Sequence, residues 1–361
     1  MRKLARVTVV ANATVVAVGL VALTLLLSAR DDESGERRIP TRAEPAVPAP
    51  ASQPDPPPPV VATVESARAV GANELGLVPV IMYHRLLTKR IASIDRTPAQ
   101  LRAELVKLAK AGYVPITAAE FVSGRIDIPA GAHPVVLTFD DGHPSHFALD
   151  ADSQPKRDTA VGIIYEVAAK YPDFRPVATF WVNRAPFGLP DQAQQEAAVK
   201  WLVDHGFEVG NHTYTHPDLR RLSPKGVAEQ IVRQERLLKK LGVPSSTTMA
   251  LPYGSRPRKA KIAREGKWDG TSYRFDGVFL AGAEPSVPPY AKSFDRTAIW
   301  RIQSNGKQGE CRRWCSAYWL DWLDEHPEAR YTSDGDPEHI SIPKRLRGNI
   351  ISKAAKKVIA Y

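Results

Sequence analysis

The chain lacks the signatures of nucleotide chemistry. It contains no GxGxxG fingerprint, no P-loop and no GxSxG elbow. Those absences argue against a nucleotide cofactor and against a serine hydrolase built on a nucleophile elbow. No internal repeat is visible. Cysteine is scarce: Cys311 and Cys315, in CRRWC, are the two thiols of 361 residues. Two cysteines alone are a weak zinc signal, whereas in an exported protein they would close one short disulfide loop.

What is present differs between the ends and the middle. Arg2, Lys3 and Arg6 precede an uncharged stretch from Val7 to Ala29, about the 20 residues that cross a bilayer. The exit Leu27-Ser28-Ala29-Arg30 is a poor cleavage site, and no lipobox cysteine follows. Residues 1–30 therefore read as an uncleaved membrane anchor in preference to a cleaved signal peptide. Residues 31–70, with PDPPPPV at 54–60, read as a proline-rich linker that stiffens into polyproline II. Either reading of the N-terminus places the remainder at the cell surface or outside the cell. The net charge is +10, much of it in the tail KRLRGNIISKAAKK at 344–357. A cationic surface favours anionic partners. Outside the membrane these are acidic wall polymers or lipid rather than nucleic acid, and a solvated basic end is the plainer reading of the tail.

Hydrophobic residues make up 43% of the chain, ordinary for a folded core. From Ala72 onward, short apolar runs alternate with amphipathic segments. Strands are expected at Val78–Tyr83, Val135–Phe139, Val177–Val182, Phe207–Val209, Thr247–Leu251 and Tyr273–Leu280, with one more at Ala298–Ile302. Helices are expected after Thr97-Pro98, over Asp158–Ala169, over Ala197–His205 and after Ser223-Pro224. Such alternation implies an α/β fold with a parallel sheet, either a barrel or an open doubly wound sheet.

Sites in parallel α/β folds form at the carboxyl ends of strands. There the run Val135–Phe139 stops at two adjacent carboxylates, Asp140 and Asp141, followed by Gly142. Further on, GNHTYTHPDL carries His212 and His216 four residues apart. One carboxylate and two imidazoles form a common ligand set for Zn²⁺ or a similar divalent ion. Asp141 would bind the ion, whose charge offsets the repulsion between the two acids. Asp140 would be the general base that takes a proton from water.

TFDDG, HTYTH and PYG (Pro252-Tyr253-Gly254), in this order, resemble the motifs of the NodB-type polysaccharide deacetylases, carbohydrate esterase family 4. The resemblance covers roughly residues 75–305 and defines a deacetylase domain over 71–305, with 306–361 as a C-terminal extension packed on it. It implies a distorted (β/α) barrel that removes acetyl groups from N-acetylated sugars. It also implies Asp140 as catalytic base, Asp141, His212 and His216 as ligands of a divalent metal (zinc first, with Co²⁺, Ni²⁺ or Mn²⁺ as alternatives), and the Tyr253 N–H as an oxyanion donor. The implied partner is an N-acetylglucosamine-containing polysaccharide of the wall or the exterior. An O-acetyl esterase and a catalytically silent glycan-binding module are the alternatives.

Two positions depart from the family pattern. The arginine that orients the base two residues before PYG is replaced by Ala250, leaving Arg256, Arg258 or Arg301 as substitutes. No late Leu-x-His supplies an acid: His326 and His339 both lie outside that pattern. VPVIMYH resembles the opening of exported poly-N-acetylglucosamine deacetylases, in which an early histidine takes the acid role. That implies His84. His143 and His146 read as rim residues, and Trp181 as core.

Overall fold

The computed structural model describes residues 61–361. The anchor read over 1–30, and the part of the linker before residue 61, lie outside the described residues. Among these residues no helix is long and apolar enough to cross a membrane.

Helix α1 (Val64–Ala69) falls inside the stretch read as linker; Thr63 and Ser66 close a capping box at its start. The chain then alternates strand and helix: β1 (Val80–Tyr83), α2 (Pro98–Lys110), β2 (Tyr113–Ile116), α3 (Ala118–Ser123), β3 (His133–Asp141), α4 (Ala160–Lys170), β4 (Thr179–Val182), α5 (Gln192–Asp204), β5 (Glu208–Asn211), α6 (Pro224–Lys240) and β6 (Thr248–Ala250). Next come α7 (Lys261–Arg264), a hairpin of β7 (Glu265–Trp268) and β8 (Thr271–Arg274), β9 (Gly277–Phe279), β10 (Ile302–Gln303), α8 (Ser316–Glu325), β11 (Ile340–Ile342) and β12 (Val358–Ala360). Threonine or serine caps with proline at the first helical position start α2 and α6, as the sequence indicates.

The main sheet runs β10-β1-β3-β4-β5-β6-β9, every pair parallel, with β2 on the first half of β3. One segment draws its ends together. Ile299 bridges Phe279 of β9, and three residues later Ile302 and Gln303 pair with Ile81 and Met82 of β1. The result is a distorted (β/α) barrel. Its thinnest seam is β5–β6, which has a single register pair, Asn211 with Met249.

Both faces of the sheet are buried, so its strands read as near-continuous apolar runs. Ile81, Leu137, Phe139, Phe180 and Val209 pack outward against α2, α4 and α5. Val80, Val136, Trp181, Ala250, Phe279 and Ile299 fill the interior. The period of two then puts Thr138, Asp140, Gly210 and Arg301 on the inner face. The segment after α8 belongs to the interior core as well: Tyr331, Ile340 and Ile342 pack with Val78 and Val80.

Two expectations need correction. Tyr273–Leu280 is not one strand. Thr271–Arg274 turns back antiparallel on β7, the Phe275 N–H bonds to Arg264, and only Gly277–Phe279 joins the barrel. Helix α5 begins at Gln192 rather than Ala197, because Asp191 caps it from outside the apolar pattern.

Candidate active site

Strand β3 carries Asp140 inward and buries it to 3% exposure. The next residue, Asp141, has φ +77 and turns toward the mouth with a half-buried side chain. Past β5, His212 is buried and donates Nδ1–H to the Ala250 carbonyl at 2.9 Å. A carbonyl can only accept, so Nε2 keeps its lone pair. That atom lies 3.5 Å from Asp141 Oδ1, is buried, and has no hydrogen-bond partner. His216 Nε2 is 3.3 Å from the same oxygen. Ligand atoms of Asp141, His212 and His216 all lie within 4.8 Å of one another. An orphaned lone pair facing a carboxylate and a second imidazole fits a cation, and the Ala250 carbonyl fixes the ring that offers it.

The backbone here is bent beyond ordinary limits. Seven described non-glycine residues have positive φ, and Asp141, Thr213, His216 and Tyr253 are four of them. Each costs about 1–3 kcal/mol, a cost that persists where the surroundings enforce it. The enforcing contacts are specific. Asn211 accepts from the Thr213 N–H at 2.8 Å, and the Ser255 hydroxyl bonds Asp218, tying the loop after Gly254 to the loop that follows His216.

Asp140 is held by Arg301. Nη1 and Nη2 each reach a carboxylate oxygen at 2.7 Å. Arg301 is fully buried; it donates Nε–H to the Leu280 carbonyl and Nη1–H to Thr138, and its guanidinium lies 5.0 Å from the Trp181 ring centre. Of the three arginines open in the sequence, Arg301 therefore fills the place left by Ala250; Arg256 and Arg258 are exposed. Burial alone would raise the Asp140 pKa, but Arg301, then His212 and His84, hold it far below the usual carboxylate range. Burial likewise opposes ionisation of His212, yet Asp140 and Asp141 outweigh it and raise its pKa.

His84 follows β1 on the same rim. Its Nε2 is 4.0 Å from Asp140 Oδ2, and its buried Nδ1 has no partner. Burial lowers its pKa, with Asp140 and Asp141 pulling the other way. His146 is not a rim residue: it is fully buried between Phe139 and Phe180 and contacts the His84 carbonyl through Nε2 at 2.8 Å. His143 does lie at the rim, half-buried against Ser145. His326 bonds the Trp322 carbonyl and His339 bonds Asp336, both away from this cluster. Tyr253 is 71% exposed, with its ring edge-on to His216 at 4.5 Å. Trp181 is core, bonded to Thr248. His146 and the Ala250 carbonyl are supporting groups that carry no sequence motif; Thr138, which bonds Arg301, lies inside TFDDG.

The parallel barrel thus carries an aspartate–histidine–histidine cluster beside an arginine-held carboxylate at its strands' carboxyl ends. Residues 127–267 match the family model described as polysaccharide deacetylase, and this part of the chain is a domain of that family. A peptidoglycan-N-acetylglucosamine deacetylase of Bacillus cereus is 25% identical over 148 residues, 40% of this chain and 45% of the relative. A chitooligosaccharide deacetylase of Bradyrhizobium is 29% identical over 140 residues, 39% of this chain and 51% of the relative. The chain thus spans about half the length of these curated relatives. Among solved structures, a Streptococcus pyogenes deacetylase in complex with acetate is 18% identical, with a TM-score of 0.46 over 63% of this chain and 91% of that one.

Proposed function

We propose that the protein is a metal-dependent hydrolase that removes N-acetyl groups from an N-acetylglucosamine-containing polysaccharide of the cell wall or the exterior. The observation that carries this reading is the ionised Asp140, gripped by Arg301, beside a cluster whose buried His212 Nε2 has no protein partner. Asp141, His212 and His216 would hold the divalent ion; zinc suits these donors best, and Co²⁺, Ni²⁺ or Mn²⁺ fit them. When bound, the ion supplies Lewis-acid polarisation and makes water more acidic.

The chain's own groups do the rest. Asp140 takes the proton of the attacking water on a lone pair that Arg301 leaves free. His84, 4.0 Å from Asp140 Oδ2, passes a proton to the departing nitrogen as the C–N bond breaks. The Tyr253 N–H is assigned to the tetrahedral oxyanion. The products are acetate and a free amine on the glycan. The apolar N-terminal segment would keep the enzyme at a membrane, and the basic tail at 344–357 near acidic wall polymers.

Acetate release from chito-oligosaccharides tests the reading. Asp140→Asn in the full chain is expected to lower turnover by about 10²–10⁴ while leaving bound metal in place. Undiminished release would remove Asp140 from the mechanism. A wild type that holds metal but frees no acetate from any N-acetylated glycan would favour a silent binding module.

A further inference from the structure

We propose that a pocket next to the catalytic cleft is a subsite for a second, negatively charged sugar of the same polymer. The proposal rests on the deacetylase reading and names part of its substrate. The cavity, about 640 Å³, is lined by Arg90, Gln303, Asn305, Gln308, Trp314 and the Cys311–Cys315 disulfide.

Strand register places it. Gln303 stands two residues beyond Arg301, hence on the same face and one step nearer the mouth. It pairs with Met82, two residues before His84. Gly282, on the pocket wall, packs on the closing segment: a Cβ there would fall 2.8 Å from the Arg301 carbonyl oxygen and 2.7 Å from the Trp300 ring. Pocket and Asp140 are therefore neighbours on one rim.

The lining has the chemistry of a sugar site. Six large hydrophobic residues are exposed among the described residues: Val61, Ile91, Val203, Tyr253, Trp300 and Trp314. Two of them stand at this pocket, with Trp314 on its wall and Trp300 against Gly282. A half-exposed indole offers a flat apolar face to a pyranose ring, and a few fixed polar groups around such a face set orientation. Those groups are fixed in advance. Arg90 Nη2, Gln303 Nε2 and Asn305 Nδ2 donate to the Ser93 carbonyl at 2.9, 3.3 and 2.7 Å. The disulfide pins the loop that bears Trp314. A preformed wall lowers the ordering cost of binding.

Charge selects the sugar. Arg90 lines the cavity, and Arg312 and Arg313 are exposed on the disulfide loop. A neutral sugar leaves this positive field unmet; a carboxylate-bearing sugar meets it.

The test uses the full chain as wild type, Trp314→Ala and Arg90→Gln. Calorimetric binding and acetate release are measured with a neutral N-acetylglucosamine tetramer, and with a tetramer whose alternate sugars carry a carboxylate. The wild type is expected to bind the acidic tetramer several-fold more tightly, and Arg90→Gln to erase that preference. Trp314→Ala is expected to weaken both by about tenfold, one good contact's worth, raising KM with kcat unchanged. Binding of neither tetramer by the wild type, variants that bind as the wild type does, or a preference that survives Arg90→Gln would each overturn the subsite. Tight, Trp314-dependent binding with no acetate release overturns the deacetylase reading and leaves the subsite standing. Acetate release with KM unmoved in both variants does the reverse.

Discussion

The pair of Asp140 and Arg301 concentrates the energetics of the site. Both side chains are out of water, so each depends on the other. Removing one partner from such a pair costs about 3–5 kcal/mol, because the survivor is left charged and unmatched. Arg301→Met is therefore expected to lose about that much stability in urea unfolding at pH 7. It should also move the acid limb of the activity profile upward. Arg301 holds the Asp140 pKa down; without it Asp140 protonates at a higher pH, and activity fails sooner as the pH falls. An unshifted limb would contradict this. The sequence showed the acids and histidines because TFDDG and HTYTH are compact. It left three arginines open because Arg301 lies 161 residues from its partner, in an apolar run, and only the closing of the barrel brings it in.

At the level of elements, β5 has little room to spare. A Cβ on Gly210 would fall 2.7 Å from Trp181 Cδ1 and 2.9 Å from the Thr248 carbonyl oxygen. Trp181 is locked in place by Thr248 and by Arg301, so it cannot yield easily. Gly210→Ala is expected to cost about 1–3 kcal/mol through overpacking. Two residues on, it should displace His212 and weaken metal binding, which a competition titration with a chromophoric chelator would read. Unchanged metal affinity would show that β5 is not what aims His212. Helix starts with Thr-Pro or Ser-Pro were legible because the cap is local chemistry. The first turn of α5, Gln-Ala-Gln-Gln, has no strong apolar signal and was missed. The break in Tyr273–Leu280 was also hidden, since alternation cannot tell which neighbour a strand will pair with.

Across the whole molecule, the C-terminal segment and the barrel share one interior, and His133 sits at their junction. Its Nδ1 contacts the Tyr331 carbonyl at 2.7 Å. Burial first, then Arg330, lowers its pKa to about 4. An unfolded chain titrates this group near 6.5, so its stabilising contribution is complete above that pH and is lost as the pH falls toward 4. At pH 4.5 the loss is about 2.5 kcal/mol. Buried Glu74, whose pKa is raised by desolvation and then by Asp334, works in the opposite sense. The informative quantity is thus the difference between proteins. Between pH 7.5 and 4.5, His133→Gln should lose about 2.5 kcal/mol less than the wild type in urea unfolding. Equal losses would contradict the assignment. The α/β class and the barrel were legible from alternation and motif, and a C-terminal extension packed on the domain was expected; that it fills the barrel's own interior was not, because that contact is remote in sequence.

The central claim is that Asp141, His212 and His216 hold a divalent ion on which deacetylation depends. The most direct measurement is acetate release from an N-acetylglucosamine oligomer by the full chain, before and after stripping with a chelator, and again after zinc is restored. The expected result is loss on stripping, recovery with zinc, and no recovery in Asp141→Ala. Full activity in the stripped protein, or recovery in Asp141→Ala equal to the wild type, would contradict it.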